Sequence, residues 1–143
     1  MYEYSCKVTR VVDGDTVDVT LDLGFNILHK CRVRLYGIDT PESRTRDKDE
    51  KARGLLAKQF ILDALEESEI TIIQTKLKDS KGKFGRVLGD LMIDGISING
   101  ALCENNLAVP YYGQSKADVE ASHLVNRQKL IDSGIFTPVV SSS

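Results

Sequence analysis

Apolar and polar residues alternate along two stretches near the start of the chain, and they predict two β-strands. Between Tyr2 and Val12 the alternation is loose, as in a strand with one exposed face. In the next stretch it is regular, with one set of apolar positions: Val17, Val19, Leu21 and Leu23. Asp15 shares the parity of that apolar set, so its carboxylate is expected to point toward the core side, where it needs a partner or a metal ion.

Three further strands are predicted downstream, from about Ile27 to Ile38, from Ile70 to Thr75 and from Arg86 to Ile93. On a straight third strand, Arg34 and Asp39 would face opposite ways. Gly37 offers a place for that strand to bend or bulge and to re-aim both side chains.

Three helices complete the pattern. The first is predicted from about Asp49 to Glu67, the second from Asn99 to Asn106 with Asn99 as a candidate N-cap, and the third from Ser115 to Asp132. Ser115 and Asp118 fit a capping box in the third helix. Its inner face is predicted from four residues: Ala117, Ala121, Leu124 and Ile131.

Five strands with one inserted helix and two final helices predict an α+β fold, a five-stranded Greek-key barrel of the oligonucleotide-binding (OB-fold) type. The chain has 143 residues, within the usual size of one domain, so we expect a single domain over residues 1–143. Its core is expected at about residues 4–136, with a frayed tail at residues 139–143.

Composition and charge narrow the possible functions. The chain is 41% hydrophobic and 28% charged, as in ordinary globular proteins, and its net charge of -2 argues weakly against a protein that coats nucleic acid. No export signal and no apolar run of membrane-spanning length are recognisable, so a cytoplasmic monomer without membrane contact is predicted. The odd number of cysteines predicts reduced, buried thiols: Cys6, Cys31 and Cys103.

Several charged residues lie outside any motif. The segment from Arg44 to Arg53 is almost entirely charged and is predicted to be a mobile, solvated loop. The alternative is that Arg44 or Lys48 also guides substrate. His29 and His123 are predicted to be surface residues without a catalytic role.

The segment from Ile38 to Ser43 places two carboxylates at the end of a strand. Together with residues elsewhere in the chain, these carboxylates suggest a site for phosphodiester cleavage. Cleaving a phosphodiester requires positive charge on the phosphate oxygens and a base for the attacking water. Asp15 and Asp39 are hard oxygen ligands of the kind calcium or magnesium prefers, and a backbone carbonyl near Thr40 could add to them. Glu42 is the candidate base. Two arginines are the candidate phosphate clamps: Arg34 and Arg86.

Each piece also has a purely structural interpretation when it is taken alone. Asp13-Gly14 is an ordinary hairpin turn, and Thr40-Pro41-Glu42 suits the start of a helix. Three segments in this order nevertheless resemble the staphylococcal nuclease (thermonuclease) family: Asp13-Gly14-Asp15-Thr16, then Arg34 five residues before Asp39-Thr40-Pro41-Glu42, then Lys83-Phe84-Gly85-Arg86. The resemblance extends from about Tyr4 to Phe136.

The resemblance implies a calcium-dependent endonuclease that hydrolyses DNA, with RNA as a further candidate substrate, and leaves 3′-phosphate ends. It implies that Asp15, Asp39 and the carbonyl of Thr40 hold the calcium ion. It further implies that Glu42 activates water, while Arg34 and Arg86 bind the reacting phosphate. All five side chains match the family pattern, which favours an active enzyme.

The substrate-binding residues implied by the resemblance are Lys83, Phe84, Tyr111 and Tyr112. Phe84 replaces a tyrosine that reaches the nucleotide in well-known members of the family. The spacing around Val109-Pro110 is altered, so either Tyr111 or Tyr112 could stack on a base. The alternative function is a barrel that binds single-stranded nucleic acid or a protein partner without cutting it.

Overall fold

A barrel of five strands, closed by one parallel strand pair, is the framework of the fold. The computed structural model describes residues 2–75 and 87–139. The strands in these ranges are β1 (Tyr2–Asp13), β2 (Thr16–Asp22), β3 (Leu28–Leu35), β4 (Ile38–Asp39), β5 (Thr71–Thr75), β6 (Val87–Ile93), β7 (Ile96–Ser97) and β8 (Val109–Pro110). The helices there are α1 (Lys48–Glu66), α2 (Ile98–Glu104) and α3 (Lys116–Asp132).

Strand pairing follows the order β3-β2-β1-β5-β6 in antiparallel pairs. The parallel pairing of β3 with β6 then closes the barrel, with Val33 opposite Val87 and Leu35 opposite Gly89. The predicted α+β barrel of the OB-fold type, with five main strands and three helices, is therefore confirmed.

The regular alternation of β2 fills the barrel interior as predicted. Val17, Val19 and Leu21 are buried, whereas Leu23 lies beyond the end of the strand and is exposed. Helix α1 covers the barrel with Ala57 and Ile61, which are both fully buried. The apolar set thus ends one position short of the prediction, because the chain leaves the sheet after Asp22.

The predicted third strand, Ile27 to Ile38, is divided in two. Strand β3 ends at Leu35, and Gly37 adopts a positive φ of 78°, which a residue without a side chain reaches easily. The chain then forms β4, whose Ile38 and Asp39 pair with Pro110 and Val109 of β8. The bend expected at Gly37 is confirmed, and it sends Asp39 to a separate two-stranded ribbon.

The two C-terminal helices correct two predictions. Ser97, and not Asn99, is the N-cap of α2, since its hydroxyl accepts the N–H of Gly100 at 3.2 Å. Asn99 is buried instead, where its amide donates to the carbonyl of Tyr36 at 2.9 Å and accepts the N–H of Leu91 at 3.2 Å. Asn99 therefore joins α2 to the end of β3 and to β6.

Ser115 is the N-cap of α3 as predicted, because its hydroxyl accepts the N–H of Asp118. The predicted inner face of α3 is correct only for Ile131, which is half-buried against the core; Leu124 is 60% exposed, and Val119 and Leu130 are the buried residues. Ala117 and Ala121 are exposed as well. The helix packs a partly polar face against the barrel, so the apolar residues of its sequence do not identify the side that makes the contacts.

The charged segment after Ser43 is not a loop throughout. Helix α1 begins at Lys48, and the carboxylate of Asp47 caps it by accepting the N–H groups of Asp49 and Glu50. Arg53 is buried within the helix and its Nε lies 3.1 Å from Asp49. The prediction of a mobile, solvated run to Arg53 is therefore wrong from residue 48 onward.

The cysteines and the C-terminal tail match their predictions in part. The three thiols are free and only half-buried, and burial, with repulsion from Cys31, raises the pKa of Cys6 to about 11. The backbone N–H of Val139 donates to Asp49 at 3.4 Å, so this residue of the predicted tail is attached to the fold. Among the helices of residues 2–75 and 87–139, none is long and apolar enough to cross a membrane.

Candidate active site

Two glycines allow the acidic segments to pack against helix α1. A Cβ atom on Gly54 would lie 2.6 Å from the carbonyl oxygen of Pro41 and 2.7 Å from the carbonyl carbon of Glu42. A Cβ atom on Gly14 would lie 2.6 Å from the Cβ of Ala57. All three distances are too short for a side chain, so these glycines let the Pro41-Glu42 backbone and the turn before Asp15 pack directly on α1.

Arg34 connects the two candidate metal ligands. Its guanidinium donates to the carbonyl of Leu35 at 2.7 Å and to that of Ile38 at 2.9 Å, which fixes its orientation across the bend. Its Nη2 then lies 3.5 Å from Oδ2 of Asp15 and 3.8 Å from Oδ1 of Asp39. The bend at residue 37 thus brings together side chains that a straight strand would have separated.

Asp15 is held at the edge of the core, as its parity in the sequence predicted. Its Oδ1 accepts the hydroxyl of Thr16 at 3.0 Å, and its Oδ2 accepts the backbone N–H of Thr40 at 3.4 Å. The N–H of Leu35 donates to the Asp15 carbonyl at 2.8 Å. Asp15 and the buried Thr40 are therefore neighbours, although 25 positions separate them in sequence.

Glu42 lies in an environment of unusually high negative charge. Although the residue is largely exposed, its pKa is raised above the ordinary value, first by partial burial and then by repulsion from four carboxylates: Asp15, Asp13, Glu50 and Asp39. Its backbone N–H donates to the carboxylate of Glu50 at 3.0 Å. A positive charge placed among these acids would favour the ionised form of Glu42, which is the form that a general base needs.

Asp13 attaches the segment after Glu42 to the turn before Asp15. The Ser43 hydroxyl donates to one oxygen of Asp13, and Nη2 of Arg44 lies 3.3 Å from the other. Arg44, proposed from the sequence as a guide for substrate, is thus paired with an acid while its side chain remains largely exposed.

His123 reaches the site from α3, and the prediction that it is a surface residue is wrong. Its side chain is 12% exposed and its Nε2 lies 2.8 Å from Oδ2 of Asp39. A spacing of four residues from buried Val119 and seven residues to buried Leu130 places His123 on the inner face of α3. That spacing is the sequence signal that could have revealed it.

The residues fit a hard divalent cation by the chemistry of their donors. Oxygens of Asp15 and Asp39 both face the guanidinium of Arg34, so the two carboxylates already converge on one positive charge. Together with the Thr40 carbonyl they would provide three oxygen ligands, and water would supply the rest, as is usual for magnesium and frequent for calcium. The candidate set has two carboxylates and a backbone carbonyl; in residues 2–75 and 87–139, no cluster of three or more His, Cys, Asp or Glu side chains is arranged to hold a metal ion.

Two clefts, each of about 380 Å³, lie on either side of Arg34. The first is lined by Asp39, Thr40 and Glu42, and the second by residues of the bend and by Leu88 and Tyr112. Tyr111 is 44% exposed and lines both clefts, whereas Tyr112 is 81% exposed and lines only the second. Three further predicted site residues lie outside the described ranges: Lys83, Phe84 and Arg86.

The family of the chain follows from comparison with known proteins. A family model described as staphylococcal nuclease homologue matches residues 32–130. The chain belongs to this family. The match includes the second half of β3, the Asp39-Thr40-Pro41-Glu42 segment and the helical residue His123, and it confirms the resemblance seen in the sequence.

Individual relatives of this staphylococcal nuclease homologue are distant. An uncharacterized protein of Bacillus anthracis is 29% identical over 74% of this chain and 47% of its own length. An uncharacterized protein of Methanocaldococcus jannaschii is 31% identical over 64% of this chain and 49% of its own. Endonuclease YhcR of Bacillus subtilis is 27% identical over 77% of this chain and 9% of its own. The chain thus spans half or less of each of these relatives.

Proposed function

We propose that the chain is a calcium-dependent endonuclease that hydrolyses the phosphodiester bonds of DNA, with RNA as a second substrate. The observation that carries this proposal is the position of Arg34, whose Nη2 faces Asp15 at 3.5 Å and Asp39 at 3.8 Å. Family membership and the similarity to a protein named as an endonuclease support the nuclease activity. The donor chemistry supports a hard cation.

Each side chain has a definite role in the proposed reaction. Glu42 takes the proton of the attacking water, and Arg34 binds a non-bridging oxygen of the phosphate and stabilises the charge that develops there. A calcium ion held by Asp15 and Asp39 adds positive charge at the phosphate when it is bound. Arg86 is proposed from the sequence as the second phosphate clamp.

The arrangement of charge favours an enzyme over a protein that only binds nucleic acid. Four acids surround Glu42 closely enough to raise its pKa, and all of them repel a phosphate backbone. A binding surface gains affinity from positive charge and gains nothing from such a cluster. The cluster becomes useful only if a cation and a proton acceptor are needed at the same place.

The clefts indicate where substrate would lie. The scissile phosphate would sit beside Arg34, because that residue lines both clefts. Tyr111 is proposed as the residue that stacks on the neighbouring base, since it also lines both clefts and offers a partly exposed ring. Tyr112 lines only the second cleft, which does not include the candidate base, and is proposed as an outer contact.

The test is cleavage of plasmid and single-stranded DNA in calcium, in magnesium and in chelator. Glu42→Gln should lower kcat by about 10² to 10⁴-fold, as expected for loss of a general base, with a smaller change in KM. Glu120→Gln is the matched control, because Glu120 is an exposed acid of α3 that lines the same cleft. Equal rates for the wild type and Glu42→Gln, or cleavage that persists in chelator, would contradict the mechanism.

The products provide an independent test of which bond breaks. Attack of water on phosphorus with the 5′ oxygen as leaving group gives a 3′-phosphate and a 5′-hydroxyl. The 5′ ends should therefore accept a labelled phosphate from a polynucleotide kinase without earlier dephosphorylation. Products that need dephosphorylation first would show that the other ester bond is cut.

A further inference from the structure

We propose that His123 is a positioning residue for the metal site, which donates a hydrogen bond from Nε2 to Oδ2 of Asp39 and leaves Oδ1 of Asp39 to the cation. The proposal rests on the function proposed above. Nε2 of His123 lies 2.8 Å from Oδ2, and this is the shortest polar contact described for the Asp39 carboxylate. Such outer contacts orient metal ligands and tune their affinity.

The direction of this hydrogen bond follows from the chemistry of the two groups. An ionised carboxylate can only accept hydrogen bonds, so the proton must be on Nε2 of His123. The bond occupies Oδ2 of Asp39, while Oδ1 faces Nη2 of Arg34 at 3.8 Å. The two oxygens of Asp39 therefore have different environments, and Oδ1 is the one that approaches the same Arg34 nitrogen as Asp15.

His123 is held in place by contacts that do not involve Asp39. Four residues further along α3, Arg127 makes two hydrogen bonds to Asp49 of α1, at 3.0 and 3.1 Å. Asn126 donates to the carbonyl of Ala108 at 3.0 Å. The inner face of α3 also includes the buried Val119 and Leu130. The helix is thus fixed on both α1 and the segment before β8.

Asp39 is fixed from the other side by its backbone. In the β4–β8 ribbon it pairs with Val109, the residue directly after Ala108. The anchor of α3 and the partner of Asp39 are therefore consecutive residues. His123 and Asp39 are thus both positioned by the same short backbone segment, Ala108-Val109. A metal ligand with a defined orientation requires such fixed support.

The experiment compares three substitutions at His123 by calorimetric titration with calcium, without any substrate. Gln carries its amide nitrogen at about the reach of Nε2, whereas Asn carries it too near the backbone, and Leu has no donor. We expect His123→Gln to bind calcium within about 3-fold of the wild type, and His123→Asn and His123→Leu to bind it about 10 to 100-fold more weakly. His29→Gln, on the exposed part of β3, is the control and should match the wild type.

The calcium dependence of cleavage gives a second readout that a merely structural role would not produce. In His123→Asn the calcium concentration for half-maximal activity should rise by the same factor as the dissociation constant, with kcat at saturating calcium largely restored. Unchanged calcium affinity in both His123→Asn and His123→Leu would overturn the proposal, as would equal weakening by Gln and Asn. If the proposed function itself is wrong, Asp39→Asn will also leave calcium affinity unchanged, which separates the two failures.

Discussion

Replacing Gly54 by alanine tests whether helix α1 fixes the position of the candidate base. The added Cβ would lie 2.6 Å from the carbonyl oxygen of Pro41, about 0.8 Å inside the 3.4 Å at which ordinary contact begins. All three of the nearest atoms belong to the backbone of the Pro41-Glu42 segment, so no side-chain rotation can relieve the contact. Either α1 or this segment must move.

Two opposing effects determine how much Gly54→Ala changes the free energy of unfolding. Alanine in place of glycine favours a helix by about 1 kcal/mol, whereas overpacking a closely packed contact costs about 1–3 kcal/mol. The net destabilisation should be about 1 kcal/mol, which lowers Tm by about 3 °C for a domain of this size. Activity should respond far more strongly, because a displacement of about 1 Å at a catalytic group can lower the rate by about 10²-fold.

The assay measures kcat in saturating calcium and Tm for Gly54→Ala beside a matched control, Gly100→Ala. Gly100 also lies within a helix, but its Cβ would be 3.6 Å from the nearest atom, the hydroxyl of Ser97, which is ordinary contact. The control should therefore keep full activity and equal or slightly higher stability. If Gly54→Ala behaves like Gly100→Ala, α1 does not determine the position of Glu42.

Two further predictions concern stability and pH. Glu42→Gln should raise the free energy of unfolding at pH 7 by about 0.5 kcal/mol in chelator, because it removes a repelled, exposed charge. Because the pKa of Glu42 is raised in the folded protein, this gain disappears below about pH 4, where the carboxyl is protonated in both the folded and the unfolded state. A gain that persists at pH 3 in chemical denaturation would contradict this prediction. Asp49→Asn should lower the free energy of unfolding at pH 7 by about 2 kcal/mol. The pKa of Asp49 is lowered by hydrogen bonds from Arg127 and Arg53, and burial offsets part of that effect. That stability is present above about pH 4 and is lost as pH falls through the lowered pKa, so equal unfolding of both proteins at pH 7 would refute it.

The barrel could be predicted from the sequence because its strands follow a simple rule. Val17, Val19 and Leu21 alternate with polar residues and all three are buried. Gly37 marks the bend because only a glycine reaches its backbone conformation easily. Local pattern and tertiary structure agree in this half of the chain.

The inner face of α3 could not be predicted by the same reasoning. This helix packs on a polar site, so it presents His123 and Arg127 inward and leaves Leu124 exposed. Hydrophobic periodicity therefore selects the wrong face wherever the partner surface is itself charged. The close packing of Gly54 against the Pro41-Glu42 backbone could not be predicted either, because nothing in the local sequence shows that another backbone passes close to it.

The parallel closure of the barrel has a consequence for the order in which the protein can acquire its activity during synthesis. Every acidic residue proposed for catalysis lies between Asp15 and Glu42, and the ribosome makes this segment before β6, β8 and α3. Strand β3 must wait for β6 to close the barrel, and Asp39 must wait for β8 and His123. A nascent chain that ends before α3 therefore carries the whole set of acids without the geometry to use them. Under the function proposed above, the domain would therefore become active only once its synthesis is almost finished.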